Sequence, residues 1–177
     1  MPDTEILPAL PAAGAPAVYS LRRDRCVVEP SIRLLRYPLL RGRFTASGGF
    51  LEIAGDHQLS VVLDAESLRP SLPFLRGRLI GPRGLNVEEY PDLPFTSLAV
   101  HLGQDRSVDL TGRLYLAGTT RELRLRGDLR RVGEDYIVLW AKGILPPPRR
   151  PQRGAGLLMR VLGSRRIQVE IAMEFRR

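Results

Sequence analysis

The chain holds one cysteine, Cys26, and two histidines, His57 and His101. A lone thiol excludes an internal disulfide framework, and so few thiols and imidazoles leave no zinc or iron cluster to assemble, so neither a metal nor a cofactor is expected. Lysine is nearly absent, Lys142 being the only one among basic residues that are otherwise arginine. Aromatic residues make up 6% of the chain, few for the stacking platforms that hold single-stranded nucleic acid, and nucleic acid is an unlikely partner on that ground. No apolar run approaches the ~20 residues of a membrane-spanning helix, because prolines and arginines interrupt every candidate. The opening stretch, MPDTEILPALPAAGAPAV, carries Asp3 and Glu5 where a secretion leader needs positive charge, and Pro8, Pro11 and Pro16 break what would be its apolar segment. A soluble, cytoplasmic chain is the expectation.

Catalytic signatures are equally scarce. A Cys–His nucleophile would need Cys26 beside a histidine and an orienting carboxylate, whereas Cys26 falls within a strand pattern and reads as a small buried thiol. His101 lies opposite the apolar Val100 and Leu102, on a solvent-facing row, and His57 sits in a Gly55-Asp56-His57-Gln58 turn. Adjacent carboxylates such as Glu88 and Glu89 point in different directions and read as a solvated face. The glycines of residues 77–84 have neither dinucleotide-binding nor phosphate-loop spacing. The chain reads as no enzyme.

What is present is enough apolar matter for one core. The 177 residues are 44% hydrophobic and 26% charged, with a net charge of +8, which suits a single folded domain. Residues 1–17, rich in proline and alanine without periodicity, read as a flexible arm, leaving 18–177 as the domain. The arginine surplus has two readings, an anionic partner gripped by guanidinium groups or simply GC-rich codon usage.

From Tyr19 onward the dominant signal is period two, which sends alternate side chains to opposite faces of a strand. In residues 107–117, Val108, Leu110, Leu114 and Leu116 share one face with Gly112, which suggests a bend or bulge. Leu123, Leu125 and Leu129 oppose Arg124, Arg126, Asp128 and Arg130 in the next segment. The link Ala117-Gly118-Thr119-Thr120 predicts a hairpin, since glycine adopts the positive φ of a tight turn. Residues 136–144 and 167–175 alternate as well, and earlier strands are expected over 19–28, 32–44, 50–53, 59–63 and 97–102, with Pro30 and Pro38 interrupting. Residues 67–94, with five prolines, predict a long crossover holding at most a turn or two of helix. About eight strands with little helix predict an all-β, antiparallel eight-stranded barrel rather than a sandwich, since closure removes exposed edges.

Three stretches together resemble the YceI-like family of lipocalin-like, polyisoprenoid-binding proteins. Tyr19-Ser20-Leu21 through Gly42-Arg43-Phe44 to Gly48-Gly49 is similar to the family's opening strands. Leu79-Ile80, Leu85-Asn86-Val87-Glu88-Glu89-Tyr90-Pro91 and Phe95-Thr96-Ser97 resemble its helical crossover, tyrosine-proline pair and Phe-x-Ser strand. Leu110 to Arg121 resembles its Gly-x-Leu-x-x-x-Gly-x-Thr-Arg hairpin, and residues 163–175 its closing strand. Two departures stand out: residues 145–151 replace an Asp-Phe-Gly-like segment, and Cys26 stands near a position where many members have serine.

The resemblance implies a barrel with a long apolar tunnel that carries or stores an isoprenoid lipid, a polyprenyl phosphate or quinone, without catalysis. On the alternation, the tunnel lining is expected to be Val100, Leu102, Leu110, Leu114, Leu123, Leu125, Val138, Trp140, Val169 and Ile171, the alternative being that these residues fill a closed core. An anionic head group would meet Arg76, Arg78 and Arg83 in the crossover, and less directly Arg121. A second reading makes the barrel a scaffold whose basic surface, with Arg124, Arg126, Arg130 and Arg131, docks on nucleic acid or anionic membrane. A weak membrane contact and a homodimer are compatible with either reading.

Overall fold

A computed structural model describes residues 16–34, 37–133, 135–147 and 165–177. Most of the expected arm, the last part of the proline-rich 145–151 segment and the start of the closing-strand motif lie outside these residues.

The chain forms an antiparallel meander that closes on itself. Its strands are β1 (Ala17–Leu34), β2 (Tyr37–Arg43), β3 (Ala46–Ile53), β4 (Gln58–Asp64), β5 (Arg69–Pro70), β6 (Asp92–Leu102), β7 (Ser107–Leu116), β8 (Thr119–Val132), β9 (Tyr136–Leu145) and β10 (Ile167–Arg176). Hydrogen bonding runs β10-β9-β8-β7-β6-β4-β3-β1-β2-β5, and β10 pairs again with β1. The ring is therefore eight strands: β1, β3, β4, β6, β7, β8, β9 and β10. The expected barrel is the observed one.

Strand β1 is long because it serves two partners along one edge. Its start pairs with β3 (Tyr19 opposite Leu51) and its end with β2 (Ser31 opposite Arg41). The lone Val28–Phe44 bridge lies between these stretches. Pro30, which offers no N–H to a ladder, stands beside this break. The strands expected over 19–28 and 32–44 thus merge and divide differently: one strand runs through Pro30 to Leu34, and the next begins at Tyr37. Between Leu21 and Cys26 β1 also takes five steps against two on β10, a bulge that pushes Arg22, Arg23, Asp24 and Arg25 outward.

The inward rows build one core. Tyr19, Leu59, Val61, Leu93, Leu110, Ile137 and Phe175 are each at most 1% exposed, and no polar or charged side chain is buried among the described residues. Gly112 sits in this row for lack of room. A Cβ there would lie 2.3 Å from Phe95 Cζ and 2.7 Å from the Thr96 carbonyl oxygen. The bend expected at Gly112 lies instead in the strand opposite, where β6 shifts register between Ser97 and Ala99. The β7–β8 turn has positive φ at both Ala117 (45°) and Gly118 (75°), as a two-residue hairpin of matching twist requires. Strand β6 begins at Asp92, so the crossover is shorter than expected and Pro94 lies within the sheet, opposite Val62.

Candidate functional site

Seven of the ten expected lining residues face the barrel interior: Val100, Leu110, Leu114, Leu123, Leu125, Val169 and Ile171 are all at most 9% exposed and belong to the core cluster. Leu102 packs against that cluster half-buried. These side chains close on one another, Leu110 being 0% and Leu125 2% exposed.

Val138 and Trp140 do not belong with them. On β9 the buried residues are Ile137, Leu139, Ala141 and Leu145, so the intervening Val138 and Trp140 point outward. The Trp140 Nε1 donates to Glu170 Oε1 at 2.8 Å, and the Arg130 guanidinium lies 4.4 Å from its ring centroid. An indole whose N–H needs a partner is better served on that wet face than in an all-apolar interior.

The barrel's two ends differ. At one, short turns join β3 to β4, β6 to β7 and β8 to β9. At the other lie the end of β1, the start of β2, the β7–β8 turn and the crossover from β4 to β6. Leu68, Leu79 and Leu85 of this crossover are buried in the core cluster, and Leu75, Ile80 and Val87 pack against it, so the crossover caps that end. It holds a one-turn helix, α1 (Arg76–Ile80). Its beginning and end are tied by the Ala65 N–H donating to the Pro91 carbonyl at 2.9 Å. Tyr90 fastens its last residues to the β7–β8 turn: a Cβ on Gly118 would lie 2.9 Å from the Tyr90 hydroxyl, and the Tyr90 and Tyr115 rings meet edge-on at 6.1 Å.

The four arginines expected to meet a head group have different roles here. Arg76 holds the cap together, donating to the carbonyls of Leu68 (3.1 Å) and Glu66 (2.7 Å). Arg78 and Arg83 are exposed. Arg121 is the unusual one. It continues the inward row of Leu123 and Leu125 at the capped end, half-buried, and is the only charged residue on an inward row among the described residues. Its Nη2 donates to the Pro146 carbonyl, whereas its Nε is buried without a hydrogen-bond partner among the described residues. Burial holds its pKa below the usual arginine value, and no carboxylate pairs with it among the described residues. A desolvated cation with a spare donor favours an anion.

Two of the four outer arginines of β8 meet carboxylates. Arg126 pairs with Asp109 at 3.0 Å and Arg130 with Asp128 at 3.4 Å, while the Arg124 Nε lies 3.4 Å from the Thr111 hydroxyl oxygen. Arg131 is exposed. A groove of about 830 Å³ crosses this outer face, lined by Arg33, Arg41, Arg124, Arg126 and Lys142 together with Glu29 and Glu170. Cys26 is buried among apolar side chains, and desolvation pushes its thiol up to about 11. His101 is exposed, opposite Asp109.

An up-and-down β-barrel closed by its first and last strands, capped at one end by a short helical crossover, is the lipocalin-type architecture. The chain belongs to the YceI-like domain family, whose model matches residues 19–158. Among solved structures it is similar to a Campylobacter jejuni YCEI protein (TM-score 0.65, 18% identity, covering 81% of this chain and 88% of that one). It is also similar to Burkholderia cenocepacia BcnA (TM-score 0.62, 15% identity, 87% and 98%). A third is a polyisoprenoid binding domain from Saccharophagus degradans implicated in plant cell wall breakdown (TM-score 0.58, 16% identity, 89% and 97%). No curated protein matches the chain.

Proposed function

We propose that the barrel binds an isoprenoid lipid without transforming it, the chain lying between the inward rows and an anionic head group resting against Arg121. The observation that carries this reading is the placement of Arg121, a half-buried cation whose Nε has no partner among the described residues, at the end of an inward row that is otherwise apolar among them. Family membership and the likeness to a polyisoprenoid binding domain support the ligand class. The basic outer surface is a weaker basis for function, because carboxylates already answer Arg126 and Arg130.

The energetics favour a long ligand. Each five-carbon unit withdrawn from water returns up to about 4 kcal/mol at about 0.8 kcal/mol per buried CH₂. Against this stands the work of parting inward rows that belong to one core cluster, so short chains bind poorly and chains of several units bind well. No chemical step is part of this reading, and Cys26, buried with its thiol pushed up to about 11, serves in it as a packing residue.

The test is capture of polyprenyl phosphate and of the uncharged polyprenol by delipidated protein, read by native mass spectrometry. Arg121→Ala is expected to weaken the phosphate about 10- to 100-fold, a charge-assisted hydrogen bond being worth roughly 1.5–3 kcal/mol, and to leave the polyprenol nearly unchanged. Trp140→Phe, altering only the outer face, should leave both unchanged. Failure of the wild-type protein to take up either lipid would overturn the proposal.

A further inference from the structure

The crossover that caps the barrel also carries the most exposed large apolar side chain among the described residues. Phe74 is 77% exposed and Leu72 39%, within a run in which Ser71 to Phe74 all face solvent. Strand β2 lies alongside: the Ser71 N–H donates to the Arg41 carbonyl at 2.8 Å, and the Arg41 N–H to the Ser71 hydroxyl at 3.1 Å. Two residues before Arg41, Leu39 is 45% exposed. Single exposed apolar residues are ordinary on a protein surface. These three gather on one pair of neighbouring segments.

Their surroundings are rich in arginine. Residues 67–87 contain Arg69, Arg76, Arg78 and Arg83 and no aspartate or glutamate. Arg41 and Arg43 of β2 lie beside them, Arg43 opposite Arg69. All six are exposed. Among the described residues none of the six enters an ion pair, in contrast to Arg126 and Arg130 on β8.

We propose that this face docks the capped end of the barrel on an anionic lipid bilayer, Phe74 and Leu72 entering the boundary between head groups and acyl chains while the arginines meet lipid phosphates. An apolar apex inside a basic rim matches the layering of a bilayer surface, with negative charge above and hydrocarbon beneath. A nucleic acid would answer the arginines alone, and one aromatic ring makes no stacking platform. Docking in this orientation turns the end that carries Arg121 toward the membrane, where a lipid cargo would enter or leave. That consequence, unlike the docking itself, rests on the ligand reading above.

The experiment is co-sedimentation with vesicles of neutral phosphatidylcholine and of a 7:3 mixture with phosphatidylglycerol, using delipidated protein. Binding is expected on the anionic vesicles only and should fall with salt. Arg78→Ser with Arg83→Ser should weaken it about 25-fold, from about fivefold for each basic residue near the surface. Phe74→Ser should weaken it about tenfold, roughly half the worth of a fully buried ring. Because these side chains are exposed, circular dichroism and melting should match wild type.

Absence of vesicle binding, binding indifferent to both variants, or equal binding to neutral vesicles would each overturn the proposal. Tighter binding to a DNA duplex at the same salt, lost in the arginine variant, would do so as well. Capture of polyprenyl phosphate in detergent, run in parallel, separates the two ideas. Capture without vesicle binding sinks only the docking, and vesicle binding without capture sinks only the ligand reading.

Discussion

Replacing Leu110 with alanine is expected to move stability and lipid affinity in opposite directions. Leu110 is 0% exposed, midway along β7 and opposite Val100 on one side and Leu125 on the other. Its truncation removes buried carbons and leaves a void, which for buried leucines costs about 2.7–5 kcal/mol. At about 2–4 °C per kcal/mol for a chain of this size, the melting temperature should drop by roughly 10 °C. A prenyl chain that enters by parting the inward rows spends part of its binding free energy on making room, and the variant already has some. Affinity for polyprenol should therefore rise, by up to about tenfold if the vacated space returns about 1.4 kcal/mol. Thermal melts with and without lipid measure both effects, since a ligand at 100 times its Kd adds about 2.7 kcal/mol. The increment from a fixed lipid concentration should be larger in Leu110→Ala than in wild type. Equal increments would place the lipid outside the barrel, and a smaller one would mean that Leu110 grips the lipid rather than blocks it.

Two further outcomes follow from the core. Gly112→Ala should destabilise by about 1–3 kcal/mol through overpacking against Phe95, measured as a lower urea midpoint, and Phe95→Leu in the same chain should recover part of the loss; an unchanged midpoint in the single variant would refute the packing. Cys26 has a folded pKa of about 11 against an ordinary 9.0, so its contribution is full below about pH 9 and is lost as pH rises toward 11, where the unfolded thiol ionises first. Stability should fall across that window and fall less in Cys26→Ala; identical slopes would remove the thiol as the cause.

The alternation of leucine with arginine made β7 and β8 legible, because each strand has one wet and one dry face. Strand β9 resisted the same treatment. Ile137, Val138, Leu139, Trp140 and Ala141 are apolar on both faces, so periodicity alone could not say which row points in. Register decides it: Ala141 stands opposite Ile171, and Trp140 opposite Ala172, information carried by strand pairing rather than by any one segment. Arg121 shows a different limit. Its place in the row of Leu123 and Leu125 is visible in the spacing, yet spacing alone does not rank it above Arg76, Arg78 and Arg83 of the crossover as a partner for an anion. What separates Arg121 from them is burial, which depends on strands far apart in the chain. The merging of the first strands through Pro30 was hidden for the same reason, since only the change of partner from β3 to β2 makes room for a proline there.

Because the ring is completed by Ile167–Arg176 lying against Ala17–Leu34, its integrity depends on a meeting of two segments separated by almost the whole sequence. Such long-range pairing is slow to form. Until it does, β1 and β10 each present an unsatisfied backbone edge, the kind of surface on which other chains add themselves. The molecule is thus most exposed to aggregation before closure, when its eight staves stand in a row and the seam between the first and the last is still open.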